Sequence, residues 1–82
     1  MSKSAVPDSI QVLADEVRSA RLPPPATCRR IREEAGVTLR DVAAALEVEP
    51  ITVLRWEHGR TKPRRVHAQR WRVLLEALEE TR

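Results

Sequence analysis

The 82-residue sequence has no phenylalanine or tyrosine, one cysteine, one methionine and two glycines. Each scarcity closes off a class of protein. A single cysteine, Cys28, cannot build an internal disulfide framework. A zinc cluster needs about four ligands, and only His58 and His67 could join Cys28, so no metal is expected. Two glycines leave no glycine-rich loop to cradle a phosphate, and no Ser/His/Asp or Cys/His set is present. Neither enzymatic chemistry nor a cofactor is expected. No apolar run approaches the roughly 18 residues of a membrane span, and the opening MSKSAVPDS is polar. The expectation is a reducing, soluble compartment, the cytoplasm, with no membrane partner. Strand signals are missing too, because nothing alternates and the β-branched residues fall at helical spacing. A single all-α domain follows, close to the lower size at which a core suffices unaided.

What the chain does have is basic charge, unevenly placed. The net charge is +3, but Arg55 to Arg72 holds seven basic residues against Glu57 alone. Residues 1–26 are balanced, residues 27–54 are slightly acidic, and residues 76–82 carry a net −2. A charge run is ordinarily a solvated face. It points to a polyanion only when an element able to read a groove lies beside it.

Periodicity and punctuation predict a compact bundle of about five helices. The first starts near Pro7 and Asp8, aligns Ile10, Leu13 and Val17 on one stripe, and stops before Pro23-Pro24-Pro25. Residues 1–25 therefore read as a helix and a proline-rich link, and residues 26–80 as the folded unit. A second helix is predicted from Ala26 to Ala35, with Cys28, Ile31 and Ala35 inward and Gly36 as terminator. Thr38 should cap a third, with Asp41 completing an approximate capping box and Leu39, Val42, Ala43 and Leu46 as its apolar positions. The fourth opens at Glu49 and Pro50, a proline suited to the first helical turn, and runs to His58 before Gly59. After a polar link from Arg60 to Arg65, a fifth helix places Trp71, Leu74, Leu75 and Leu78 on one face.

The informative stretch is Gly36 to Gly59, GVTLRDVAAALEVEPITVLRWEHG. Two helices of about eight residues joined by a short turn must cross steeply, so a small residue is needed where they touch, and Ala43 stands there. Val42, Leu46, Val53 and Trp56 supply apolar inner faces, and Val48 plugs the turn. The second helix then projects its other face outward, where a DNA reader enters the major groove.

Gly36-Val37-Thr38, Ala43, Leu46, Val48, Thr52, Val53 and the run Arg55-Trp56-Glu57-His58-Gly59 resemble the Xre family of helix-turn-helix regulators, the lambda-repressor-like or Cro-like class. The resemblance spans about Cys28 to Leu78. It implies double-stranded DNA as partner, and an internal ion pair between Arg32 and Glu57 that joins the opening helix to the recognition helix. Three features depart from the family pattern. Glu47 stands where glycine is usual at the turn, Leu39 replaces a glutamine that contacts phosphate, and Glu49-Pro50-Ile51 opens the recognition helix where polar side chains are more common.

Glu49, Pro50, Ile51, Thr52 and Arg55 are the candidate base readers. Arg55 suits a bidentate guanine contact, and Ile51 and Thr52 suit thymine methyls. Ile51 should point outward, because Val53 and Trp56 already fill the inner face. Glu49 has two roles open to it, a helix cap or a reader of cytosine. Candidate phosphate contacts are Thr38 and Arg40 at the first motif helix, and His58, Arg60, Lys62, Arg64 and Arg65 at or beyond the end of the second. Arg70 and Arg72 read as a solvated face, Cys28 as a small core residue, and His67 as exposed. The stripe Ile10, Leu13 and Val17 either folds back on its own domain or meets a second subunit. Homodimerisation through the N-terminal or C-terminal helix is the corresponding partner expectation.

The leading expectation is a sequence-specific transcriptional regulator, a phage Cro-like or repressor-like protein or a small bacterial regulator. The alternative keeps the fold but uses it for protein contact, as an antitoxin or bridging factor would.

Overall fold

The computed structural model describes residues 7–81 and contains five helices: α1 (Asp8–Ser19), α2 (Pro25–Glu34), α3 (Leu39–Leu46), α4 (Pro50–Glu57) and α5 (Arg65–Glu80). No strand occurs among the described residues, and the fold is all-α. The core gathers Cys28 and Ile31 from α2, Val42, Ala43 and Leu46 from α3, Val53 and Trp56 from α4, and Trp71 and Leu75 from α5. The two indoles pack tilted at 38° with ring centroids 5.2 Å apart, within the range of interacting aromatic pairs. Ala43 is buried where α3 meets α4, and Val48 packs partly buried against the core from the turn between them.

Local chemistry accounts for the helix ends. Thr38 Oγ1 accepts from the Asp41 N–H and Asp41 Oδ2 accepts from the Thr38 N–H, both at 3.0 Å, a reciprocal capping box. The bond from the Thr38 N–H, helped by the nearby Thr38 hydroxyl, holds the Asp41 carboxyl below the ordinary carboxylate range. Helices α2, α3 and α4 all terminate in one pattern. After α2, the Gly36 N–H reaches the Glu33 carbonyl at 3.0 Å and the Val37 N–H reaches that of Arg32 at 3.1 Å. After α3, Glu47 and Val48 repeat this onto Ala44 and Ala43 at 3.3 and 2.9 Å, and after α4, Gly59 and Arg60 repeat it onto Trp56 and Arg55 at 3.1 and 2.9 Å. This is the Schellman arrangement, and it needs a left-handed residue at its centre. Gly36 and Gly59 have φ of +72° and +71°, while Glu47 adopts φ +59° and ψ +45°. That left-handed conformation costs a residue bearing a Cβ about 1 kcal/mol.

Four expectations need correction. Pro25 is not part of the link but the first residue of α2, where its missing N–H costs nothing. Arg65 is not in the α4–α5 link but opens α5. His67 is not exposed; it is half-buried against Trp56, with ring centroids 5.9 Å apart. Ala35 is half-buried at the cap of α2 rather than inside it.

Of the two senses open to α1, the structure shows the one with its apolar stripe outward. Its named bonds to α5 come from its last turn and are polar. Gln69 Nε2 donates to the Glu16 carbonyl and to Ser19 Oγ, both at 3.0 Å, and Arg72 donates to the Arg18 carbonyl. The apolar stripe faces outward instead, with Ile10, Leu13 and Val17 all exposed by about half.

Candidate nucleic-acid interface

Helix α4 is short, and its register divides it cleanly. Val53, Trp56 and Glu57 are buried on one side. Ile51, Arg55 and His58 recur at i, i+4 and i+7 on the opposite side, and all three are exposed. Pro50, Thr52 and Leu54 flank that stripe half-buried. Two of these placements were not legible residue by residue. His58 shares the line of Ile51 and Arg55 rather than standing apart at the helix end, and Leu54 borders it. A helical wheel anchored on Val53, Trp56 and Glu57 together would have located both.

Glu49 precedes α4 with an extended backbone, φ −77° and ψ +146°, and its carbonyl accepts from the Thr52 N–H at 2.9 Å. Its carboxylate forms no capping bond, so of its two open roles the structure leaves the side chain free and exposed.

One buried guanidinium fixes the orientation of α4. Arg32 Nε and Nη2 donate to Glu57 Oε2 and Oε1 at 2.7 and 3.0 Å, while Arg32 Nη1 donates to the Val37 carbonyl at 2.9 Å. The Glu57 side chain is 1% exposed and that of Arg32 10%. The bidentate pair therefore joins α2, the α2–α3 turn and the last turn of α4 through one planar group. The bond to Glu57 drives the Arg32 pKa further up, outweighing burial, which acts in the opposite direction. Arg32 therefore stays charged.

The remaining cations sort into two groups. Arg29 meets Glu33 at 3.0 Å, Arg30 meets Glu34 at 3.7 Å, and Arg18 meets Asp15. Arg65 meets Glu16 at 3.4 Å, Arg70 meets Glu47 at 3.7 Å, and Arg72 meets Glu76 at 3.0 Å. Among the described residues, the cations without a carboxylate within 4.0 Å are Arg21, Arg40, Arg55, Arg60, Lys62 and Arg64. All but Arg21 lie at the start of α3, on α4, or on the link that follows it. Arg65 alone of the expected phosphate contacts is held by a carboxylate. Thr38 is exposed, and its hydroxyl oxygen already accepts a bond while its O–H remains a potential donor. Leu39, at the departing glutamine position, packs half-buried against the core.

No group of three or more His, Cys, Asp or Glu among the described residues could hold a metal ion, and no described helix is long and apolar enough to cross a membrane. Cys28 is buried, donates to the Pro23 carbonyl at 3.4 Å, and is pushed up to about 11 by burial and then by the Glu57 charge. It remains a thiol at neutral pH and offers neither a nucleophile nor a ligand.

A family profile described as a helix-turn-helix domain matches residues 26–82. No curated protein and no solved structure gives a significant match.

Proposed function

Because the chain belongs to the helix-turn-helix domain family, a DNA-binding family, we propose that it is a sequence-specific transcriptional regulator of the Xre, Cro-like or repressor-like kind. Residues 26–80 form the DNA-binding unit, and α1 with its link is an appendage to it. Helix α4 enters the major groove of duplex DNA. Arg55 reads a guanine edge, and Ile51 and Thr52 meet thymine methyls. Glu49 and Pro50 approach the bases at the head of the helix. Thr38, Arg40, His58, Arg60, Lys62 and Arg64 hold the sugar-phosphate backbone on either side.

The observation that carries this reading is the unpaired state of Arg40, Arg55, Arg60, Lys62 and Arg64. Cations already neutralised by carboxylates release few counterions from a polyanion, whereas free ones release about one each. Binding-site selection on random duplex, followed by affinity against salt, tests the proposal. Four to five phosphate contacts give a log–log slope near −4. A flat salt response, or no enriched sequence, defeats it.

The partner in addition to DNA is a second copy of the chain, paired through α1. On α5, Trp71 and Leu75 are buried and Leu74 and Leu78 pack against the core, so they are consumed within the subunit. Ile10, Leu13 and Val17 are not. Sedimentation of the protein and of its Leu13→Asp variant tests this; a wild-type monomer at every concentration overturns it. The protein-contact alternative draws on the same outward stripe, and it prevails if the stripe binds a foreign protein while no duplex sequence is enriched.

A further inference from the structure

Behind α4, between the proline link, the α4–α5 link and α5, lies a cavity of about 390 Å³. Sites for small organic ligands span roughly 300–1,000 Å³ and combine apolar walls with a few polar groups. This cavity has that character. Trp56 and Trp71 border it, each nearly fully buried, and Pro23, Pro25 and Pro63 complete an apolar wall. Lys62 is the single charged residue among those lining it, with Thr61 beside it.

We propose that the cavity binds a small aromatic carboxylate, its ring against the apolar wall and its carboxylate on Lys62, and that this ligand weakens DNA binding. A wall of indole and proline rings favours a flat apolar body over an aliphatic chain, and the lone lysine selects an anion. The DNA consequence rests on the function proposed above, whereas ligand binding itself does not. Lys62 is one of the free cations at the interface, so ligand carboxylate and DNA phosphate compete for one ammonium group. The coupling is therefore negative and reciprocal.

The sequence contains only two tryptophans, and both line the cavity, so intrinsic emission reports on it directly. The full chain without DNA is titrated with phenylacetate and with neutral phenylacetamide, using sodium chloride to match ionic strength. A saturable emission change is expected with phenylacetate at about 1 mM or below. Phenylacetamide should bind roughly tenfold more weakly, and Lys62→Gln should erase that difference while its melting temperature is unchanged. No saturable change, or equal binding of acid and amide to the wild-type protein, overturns the site. The second arm measures duplex affinity with saturating phenylacetate. A loss of about three- to tenfold and a salt slope shallower by about one unit are expected, as for one lost phosphate contact. If phenylacetate binds and duplex affinity is unchanged, the competition at Lys62 is wrong. If no duplex is bound even without phenylacetate, the DNA reading has failed, and the ligand site is decided by fluorescence alone.

Discussion

On the flank built from α1, α2 and α5, Arg18, Arg29, Arg30, Arg32, Arg65, Arg70 and Arg72 each lie within ion-pair distance of a carboxylate. Around α4 and the link after it, Arg55, Arg60, Lys62 and Arg64 do not. The residue types are nearly the same on the two sides, and the net charge of the molecule is only +3. What differs is whether an anion is already supplied from within the chain. Exposed pairs add little stability, so their main effect is to remove a cation from the field a polyanion meets. The cations around α4 keep their charge available. Sites of high potential are thus made as much by where carboxylates are withheld as by where arginines are placed.

The largest test of that contrast lies on the paired side. Arg32 and Glu57 are buried, so removing either strands a charge, and Arg32→Ala or Glu57→Gln should each cost about 3–5 kcal/mol. Arg29→Ala, whose pair with Glu33 is half-exposed, should cost well under about 1 kcal/mol. Denaturant melts of both singles and of the Arg32→Ala/Glu57→Gln double variant read the coupling. Additive, small effects would show that burial does not separate this pair from the surface ones.

Next in size is the free side. Arg55→Ala should lose about 1–3 kcal/mol on the selected site and relax base preference at one or two positions, with its melting temperature unchanged. A large drop in stability instead would mean that Arg55 holds the fold, and the contrast between the two regions would collapse.

Arg64 and Arg65 sharpen the comparison further, because they are adjacent in the chain and opposite in use. Arg64→Ala should make the salt slope shallower by about 0.9, one phosphate contact. Arg65→Ala should leave the slope nearly unchanged, since Glu16 already neutralises that guanidinium at 3.4 Å. Glu16→Gln should free it and steepen the slope. Equal slopes for the two arginine variants would show that the pairing does not persist on DNA.

These contrasts also mark the limit of what the sequence discloses. Local signals carried most of the fold. Pro50 and Gly59 bracket α4, Thr38 and Asp41 open α3, and apolar spacing selects Cys28, Ile31, Val42, Leu46, Val53 and Trp56 for the core, because each depends on residues within a few positions. Contacts across 23 to 53 positions left no local trace. Glu16 to Arg65, Glu47 to Arg70, and Gln69 to α1 exist only once α5 lies beside both α1 and the end of α3. That is why Arg65 reads as a phosphate contact in sequence and pairs with Glu16 in the fold, and why His67 reads as exposed although it packs against Trp56. Arg32 and Glu57, 25 positions apart, are likewise invisible to spacing and were suggested only by family resemblance.

The smallest expected effect concerns three helix ends with one geometry and unequal residues. Gly36, Glu47 and Gly59 occupy equivalent left-handed positions, and only Glu47 carries a Cβ. Glu47→Gly should remove a backbone cost of about 1 kcal/mol. It also removes the pair with Arg70, in which the two side chains are 77% and 48% exposed, so that loss lies near the low end of about 0–1 kcal/mol. Glycine further loosens the unfolded chain, which offsets part of the gain. The net is a stabilisation of about 0.5 kcal/mol. Glu47→Ala separates the contributions, because it deletes the carboxylate but keeps a Cβ in the left-handed region. Alanine should therefore be slightly less stable than wild type and glycine slightly more. The order is read from denaturant midpoints, with Arg70→Ala as the background in which the ion pair is already absent. If glycine falls below alanine in that background, the backbone cost at this turn is smaller than the entropy glycine adds to the unfolded state.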